Sequence, residues 1–145
     1  MEQRMNVSES APALYNAVLH LEKRVQASSL GPALIHLIKL RASQINLCAY
    51  CVNMHTEEAL ADGIDPRKIY LLTVWEESHI FDERERAALA WTESVTLIAQ
   101  TGVPDDAFEA VRTQFNETEV AELTVAIAAI NVWNRISVSS RTPHS

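Results

Sequence analysis

The 145-residue chain is poor in residues that interrupt helices, with three glycines and five prolines, and it has only two cysteines. Alanine, leucine, glutamate and arginine are abundant instead, a composition that favours helices. No apolar run approaches the ~20 residues that span a bilayer, and residues 1–6 lack the apolar stretch of a signal peptide. The net charge of −7, with scattered basic residues, argues against nucleic-acid binding. We therefore expect a cytoplasmic protein with no membrane and no nucleic-acid partner.

Hydrophobic periodicity predicts the fold class. Hydrophobic residues make up 48% of the chain and charged residues 21%, which is enough apolar material for a globular core. Segments longer than ten residues repeat their apolar residues at helical spacing, and none alternates with a period of two. The sequence therefore predicts one all-α domain over residues 1–145, with about six to seven helices.

Capping signals indicate where these helices begin and end. Ser10 and Asn46 are the expected N-caps of the first and third helices, and Asp82 with Glu85 has the pattern of a capping box. Gly63 is the expected stop of the third helix. The predicted helices cover approximately residues 11–26, 31–45, 47–63, 65–75, 82–100 and 116–138, with a short one after residue 104.

The apolar pattern also predicts packing. Residues 123–136 are apolar on nearly every side, so we expect a helix that is buried all round and that presents part of its surface to another copy of the chain. The first helix carries its apolar residues on one stripe, and the tryptophans are expected in the core. These residues are Leu14, Val18, Leu21 and Val25 for the stripe, and Trp75, Trp91 and Trp133 for the core.

Both cysteines lie in the segment Cys48-Ala-Tyr-Cys51, and His55 follows four residues later. At 100° per residue the three side chains fall on one face of a helix. Two thiols beside a group that can take a proton are suited to redox chemistry or to metal binding. A position near the helix N-terminus favours a thiolate at Cys48, whereas the imidazole favours Cys51, so the order of attack stays open at this point.

Two other interpretations of the cysteine pair are possible. A zinc ion could take Cys48, Cys51 and His55 as ligands, with a fourth from His36 or His79. Structural zinc sites usually draw their ligand pairs from two separate loops, so this arrangement on one helix is unfavourable for zinc, and we expect no metal. The pair could also be two inert core cysteines. The remaining histidines, at positions 20 and 144, are expected at the surface.

The chain resembles the carboxymuconolactone decarboxylase superfamily, and in particular its alkylhydroperoxidase-D-like branch. The similarity extends from about residue 34 to 136, and the cysteine–histidine segment is its most specific part. The segments that carry it are Leu40–Asn46, Cys48–Thr56, Glu83–Trp91 and Ile130–Arg135. The resemblance implies a small all-α antioxidant enzyme that reduces hydroperoxides through its two thiols.

The resemblance also implies a role for each site residue. Cys51 would be the peroxidatic thiol, Cys48 the resolving thiol that closes the disulfide, and His55 the proton relay. An external dithiol of the lipoamide or thioredoxin type would reduce the disulfide again, with no bound cofactor. Family members are commonly trimers or hexamers, so a homo-oligomer is expected.

Two positions depart from the family pattern. His36 stands where the family usually has a glutamate that completes the relay, and Leu47 replaces a glycine before the first cysteine. We expect the first change to weaken thiol activation or to require another carboxylate, and the second to crowd the thiols or to narrow the substrate mouth. An alternative function is therefore a redox-sensing or stress protein with little or no activity. A lactone decarboxylase is a further alternative, but that reaction does not need the dithiol.

Overall fold

A computed structural model describes all residues from Met1 to Ser145. It contains nine α-helices, one 3₁₀ helix and no β-strand, which confirms the all-α prediction. None of the helices combines the length and the apolar character that crossing a membrane would need. The helices are α1 Val7–Ser10, α2 Pro12–Gln26, α3 Pro32–Ile45, α4 Ala49–Ala61, α5 Pro66–Leu71, the 3₁₀ helix Leu72–Glu77, α6 Glu83–Thr96, α7 Ile98–Thr101, α8 Asp105–Arg112 and α9 Glu117–Ser140.

The structure has more helices than the sequence predicted because two predicted helices are divided. The segment predicted over 65–75 is α5 followed by the 3₁₀ helix, in which Val74 departs from helical geometry at φ −123° and ψ 29°. The segment predicted over 82–100 is interrupted at Leu97, between α6 and α7. The short helix α1 precedes α2 and was not predicted.

Local capping predictions were partly right. The capping box of Asp82 and Glu85 is present at the start of α6, with hydrogen bonds in both directions. The prediction for Ser10 was wrong, because Ser10 belongs to α1, which is capped by Asn6. The prediction for Asn46 was also wrong, since Asn46 ends α3 and its side chain bonds to α9.

Helix α3 is the centre of the molecule. All of its residues from Leu34 to Leu40 are buried, and it packs against α4, α6 and α9. Each large apolar side chain fully buried in this way contributes roughly 1.5–3 kcal/mol relative to an exposed one. The central helix thereby fixes α4, which carries the cysteines, against α9.

The all-round burial predicted for α9 was wrong for the single chain. Val125 and Val132 of this helix are 46% and 36% exposed. On the apolar stripe of α2, Leu14 is 72% exposed, while Val25 at the other end is buried. Self-association through such surfaces stays a prediction.

Candidate redox site

The two cysteines lie at the start of α4, as predicted. Cys48 is the N-cap residue, and its sulfur accepts a hydrogen bond from the backbone N–H of Cys51 at 3.3 Å. The two residues are joined by a disulfide, with their Cα atoms 5.3 Å apart, and each is 1% exposed. No group of three or more His, Cys, Asp or Glu side chains is arranged to hold a metal ion. The two cysteines therefore form a buried disulfide.

A tight turn brings the chain into this position. Leu47 has φ 55°, in the left-handed region that favours glycine, and the N–H of Cys48 donates to the carbonyl of Ser43 at 3.0 Å. The Leu47 side chain is 85% exposed, so it does not pack over the buried sulfurs. Leu47 therefore does not crowd the sulfurs, and it borders a surface cavity that Cys48 also borders.

A buried polar network ties the turn to α9. The side-chain amide of Asn46 donates to the side-chain oxygens of Asn131 and Asn134, each at 2.9 Å. The amide of Asn134 in turn donates to the hydroxyl of Ser43 at 3.0 Å. Asn134 and Ser43 are almost completely buried, so these bonds satisfy groups that would otherwise be costly to bury. The network explains why polar residues stand at these positions in otherwise apolar segments.

His55 lies one turn after Cys51 and is 4% exposed. Its Nδ1 is 3.0 Å from a carboxylate oxygen of Glu58, and because an ionised carboxylate can only accept, Nδ1 carries the hydrogen and donates it. Nε2 then has a free lone pair, and this atom is buried without any hydrogen-bond partner. His55 therefore has an unpaired proton acceptor and lies one helical turn from Cys51.

Burial lowers the pKa of His55 below its ordinary value, because it disfavours the imidazolium. The hydrogen bond to Glu58 opposes this shift, and the charge of Lys39 adds to it. At neutral pH the ring is thus predominantly neutral and can act as a base. The lowered pKa and the unpartnered Nε2 are both properties of a side chain that can accept a proton.

Cys51 and His55 border a cavity of about 230 Å³ between α2, α3, α4 and α9. Several of its residues were not predicted as functional. Lys39 and Glu22 form an ion pair in its wall, and Trp133, predicted as core, is only half-buried and packs edge-to-face against Tyr15 at 5.3 Å. The remaining lining residues are Leu19, Gln26, Tyr50, Met54, Glu58 and Ser137.

His36, at the position of the family glutamate, lies apart from this arrangement. Its Nε2 is 2.6 Å from a carboxylate oxygen of Asp62, and it makes no hydrogen bond with His55 or either cysteine. It borders a separate cavity of about 360 Å³, which Glu58 also borders. The carboxylate that orients His55 therefore comes from its own helix, three residues further on. His79, the other candidate zinc ligand, is exposed.

A third cavity, of about 510 Å³, lies on the Cys48 side of the disulfide. It is bordered by the turn before α4, the end of α9 and both terminal segments. Its basic residues are Arg4, Arg141 and His144, and no acidic residue borders it. The two cysteines thus border different cavities.

The fold and the site define a helical protein with a buried Cys-x-x-Cys disulfide and a buried histidine one helical turn further on. The chain matches the carboxymuconolactone decarboxylase family over residues 12–94, and it belongs to this family. It falls in the alkylhydroperoxidase-D-like (AhpD-like) branch.

Similar proteins are known at different distances. The uncharacterized protein YdfG of Bacillus subtilis (strain 168) is 38% identical over 139 residues, which is 96% of this chain and 95% of YdfG. A protein of unknown function from Agrobacterium tumefaciens, suggested to be the antioxidant defence protein AhpD, has a TM-score of 0.96 and 50% identity, covering 99% of both chains. The debrominase Bmp8 is similar in fold, with a TM-score of 0.85 and 21% identity over 94% of this chain and 74% of Bmp8.

Proposed function

We propose that this protein is a thiol-dependent hydroperoxide reductase that cycles between the Cys48–Cys51 dithiol and its disulfide. The observation that carries the proposal is that Cys51 and His55 border the same cavity and that the imidazole Nε2 is buried without a hydrogen-bond partner. A buried acceptor left unpaired is unfavourable, and the thiol proton of reduced Cys51 would satisfy it. In the proposed cycle, the disulfide form leaves Nε2 unpaired, and the reduced form provides the thiol proton that pairs with it.

The reaction follows from these positions. In the reduced protein His55 takes the proton of Cys51, and the thiolate attacks one oxygen of the hydroperoxide. The O–O bond breaks, an alcohol leaves with a proton, and Cys51 becomes a sulfenic acid. The thiol of Cys48 then attacks that sulfur, water leaves, and the disulfide forms. An external dithiol restores both thiols and becomes a disulfide itself.

The cavity also supports a substrate class. Its volume of about 230 Å³ is below the range usual for drug-sized ligands, and side chains such as Leu19, Met54 and Trp133 give it apolar walls. Hydrogen peroxide and short alkyl hydroperoxides match this size and character. Long lipid hydroperoxides would have to leave most of their chain outside the cavity.

The test uses the reduced protein with hydrogen peroxide and with tert-butyl hydroperoxide. Each equivalent of peroxide should remove two thiols per chain without cross-linking chains. Cys51→Ser should abolish turnover, whereas Cys48→Ser should still react once and leave a sulfenic acid that dimedone traps. The proposal would be wrong if a protein with both cysteines replaced by serine reduced peroxide as fast as the wild type.

The same experiment separates the enzyme from a redox sensor. A sensor would lose its two thiols once but would not turn over when a dithiol is supplied. Alkylation rates measured against pH report the pKa of the Cys51 thiol. A pKa clearly below that of a free thiol would support the enzyme, and a pKa at or above it would support the sensor.

A further inference from the structure

The disulfide separates two cavities of different character. Cys51 borders the smaller cavity with His55, and Cys48 borders the cavity of about 510 Å³ on the other side. Tyr50 and Ser137 border both, so they form the partition between the two spaces. A molecule in the larger cavity therefore approaches the disulfide from the Cys48 side.

The larger cavity carries positive charge that no acidic residue neutralises. Arg4 and Arg141 border it, and neither guanidinium takes part in an ion pair or a side-chain hydrogen bond. His144 is a third basic side chain at the same place. A cavity bordered only by basic charged residues is unusual in a chain with a net charge of −7. Like-signed charge in a concave site raises the local concentration of molecules of opposite sign.

We propose that this cavity binds a small dithiol that carries a carboxylate, and that this anionic reductant attacks the disulfide at Cys48. The inference rests on the dithiol cycle proposed above, and it adds the chemical class of the reductant and its side of approach. The volume lies within the range usual for small-molecule sites. Arg4 and Arg141 would bind the carboxylate while the thiols reach Cys48.

The exchange balances in two steps. A thiolate of the reductant attacks the sulfur of Cys48, the Cys48–Cys51 bond breaks, and Cys51 leaves as a thiolate. The second thiol of the reductant then attacks the mixed disulfide at the reductant's own sulfur, which releases Cys48 as a thiolate. The reductant becomes a cyclic disulfide, and its two protons end on the two enzyme thiols. Attack from this side releases Cys51 directly into the cavity where it meets the next hydroperoxide.

Dihydrolipoate and dihydrolipoamide test the proposal, because they share one dithiol and differ in a carboxylate against an uncharged amide. We expect the oxidised protein to be reduced roughly tenfold faster by the carboxylate, with the advantage falling as salt is added. The readout is the appearance of protein thiols with no hydroperoxide present. If the two reductants reacted at equal rates while the protein still turned over hydroperoxide, this inference would be overturned and the proposed function would stand.

Two matched variants locate the charge effect. Arg4→Gln with Arg141→Gln should make the two reductants equally fast, whereas Arg24→Gln with Arg112→Gln removes the same charge from exposed positions outside the cavity and should keep the preference. Arg4→Lys with Arg141→Lys keeps the charge and should also keep the preference for the carboxylate. This variant shows whether the loss in the glutamine variant comes from the missing charge or from a folding defect. Equal rates in the wild type, or the same loss in both glutamine variants, would overturn the proposal.

Single-cysteine variants locate the sulfur that is attacked. Cys51→Ser leaves Cys48 as the only thiol, and its mixed disulfide with oxidised lipoate should form faster than with lipoamide. Cys48→Ser leaves Cys51, which should show no such preference. A preference for the carboxylate at Cys51 instead of Cys48 would place the reductant in the wrong cavity and refute the assignment.

Discussion

Replacing Leu47 by glycine should stabilise the protein, although Leu47 directly precedes the redox pair. Its φ of 55° lies in the left-handed region, where a residue with a Cβ is strained by roughly 1–2 kcal/mol and glycine is not. The side chain is 85% exposed, so its removal costs little buried surface. The relief of backbone strain should therefore dominate in the folded state.

The unfolded state reduces this gain. Glycine has more conformational freedom to lose on folding, which costs about 0.5–1 kcal/mol relative to alanine. The net stabilisation of Leu47→Gly over Leu47→Ala should then be about 0.5–1 kcal/mol, the difference between these two effects. Alanine is the matched control, because it removes the same side chain but keeps the strained Cβ.

Urea unfolding of the oxidised proteins, followed by tryptophan fluorescence, measures the difference. A gain of 1 kcal/mol corresponds to a rise of about 3–4 °C in Tm for a chain of this length. Leu47→Ala should not exceed the wild type. If Leu47→Gly were no more stable than Leu47→Ala, the left-handed turn before Cys48 would not be a strained position and the reasoning would be wrong.

Three further predictions concern the site and its support. Burial lowers the pKa of His55, so as the pH falls below roughly 6.5 the unfolded chain binds a proton at this residue before the folded protein does. The free energy of unfolding of the wild type should therefore decrease below this pH relative to that of His55→Gln, and the difference should stay constant above it. Glu58→Gln removes a charge that raises the pKa of His55, so the acid limb of the peroxide reaction should move to lower pH and its rate should fall by about tenfold. Asn134→Ala removes one of the two side-chain acceptors of Asn46 and the donor to buried Ser43, and it should cost about 2–4 kcal/mol in urea unfolding.

Each of these has an outcome that would contradict it. Parallel pH profiles of stability for the wild type and His55→Gln would mean that His55 titrates normally in the folded protein. An unchanged pH–rate profile in Glu58→Gln would remove Glu58 from the relay. Asn16→Ala, at an exposed position of α2, is the control for Asn134→Ala, and equal costs for both would deny the network a structural role.

The features predicted correctly from the sequence depend on residues close together in the chain. The capping box of Asp82 and Glu85 spans three residues, and Gly63 with φ 82° ends α4 one residue after its C-cap. The shared helical face of Cys51 and His55 follows from the helical period alone. Glu58 was detectable in the same way, since it lies three residues after His55, but acidic residues at this spacing are too common to single it out.

The features that the sequence did not predict depend on tertiary contacts. Asn46 looks like an N-cap in isolation, yet its amide bonds to Asn134, 88 residues away in the chain. Lys39 and Glu22 join the site only because α2 and α3 pack side by side, and Trp133 enters it from α9. Periodicity reports which face of a helix is apolar but not which other helix will cover that face.

The two cysteines of the disulfide border different cavities, and this arrangement has a kinetic consequence. When oxidant and reductant share one binding site, a high concentration of oxidant also occupies the oxidised enzyme, and a high concentration of reductant also occupies the reduced enzyme. Both kinds of occupation slow the reaction. Here the oxidant would meet Cys51 and the reductant would meet Cys48, with Tyr50 and Ser137 between them. Neither would block the other, so steady-state rates should rise to a plateau, without inhibition, as either concentration increases.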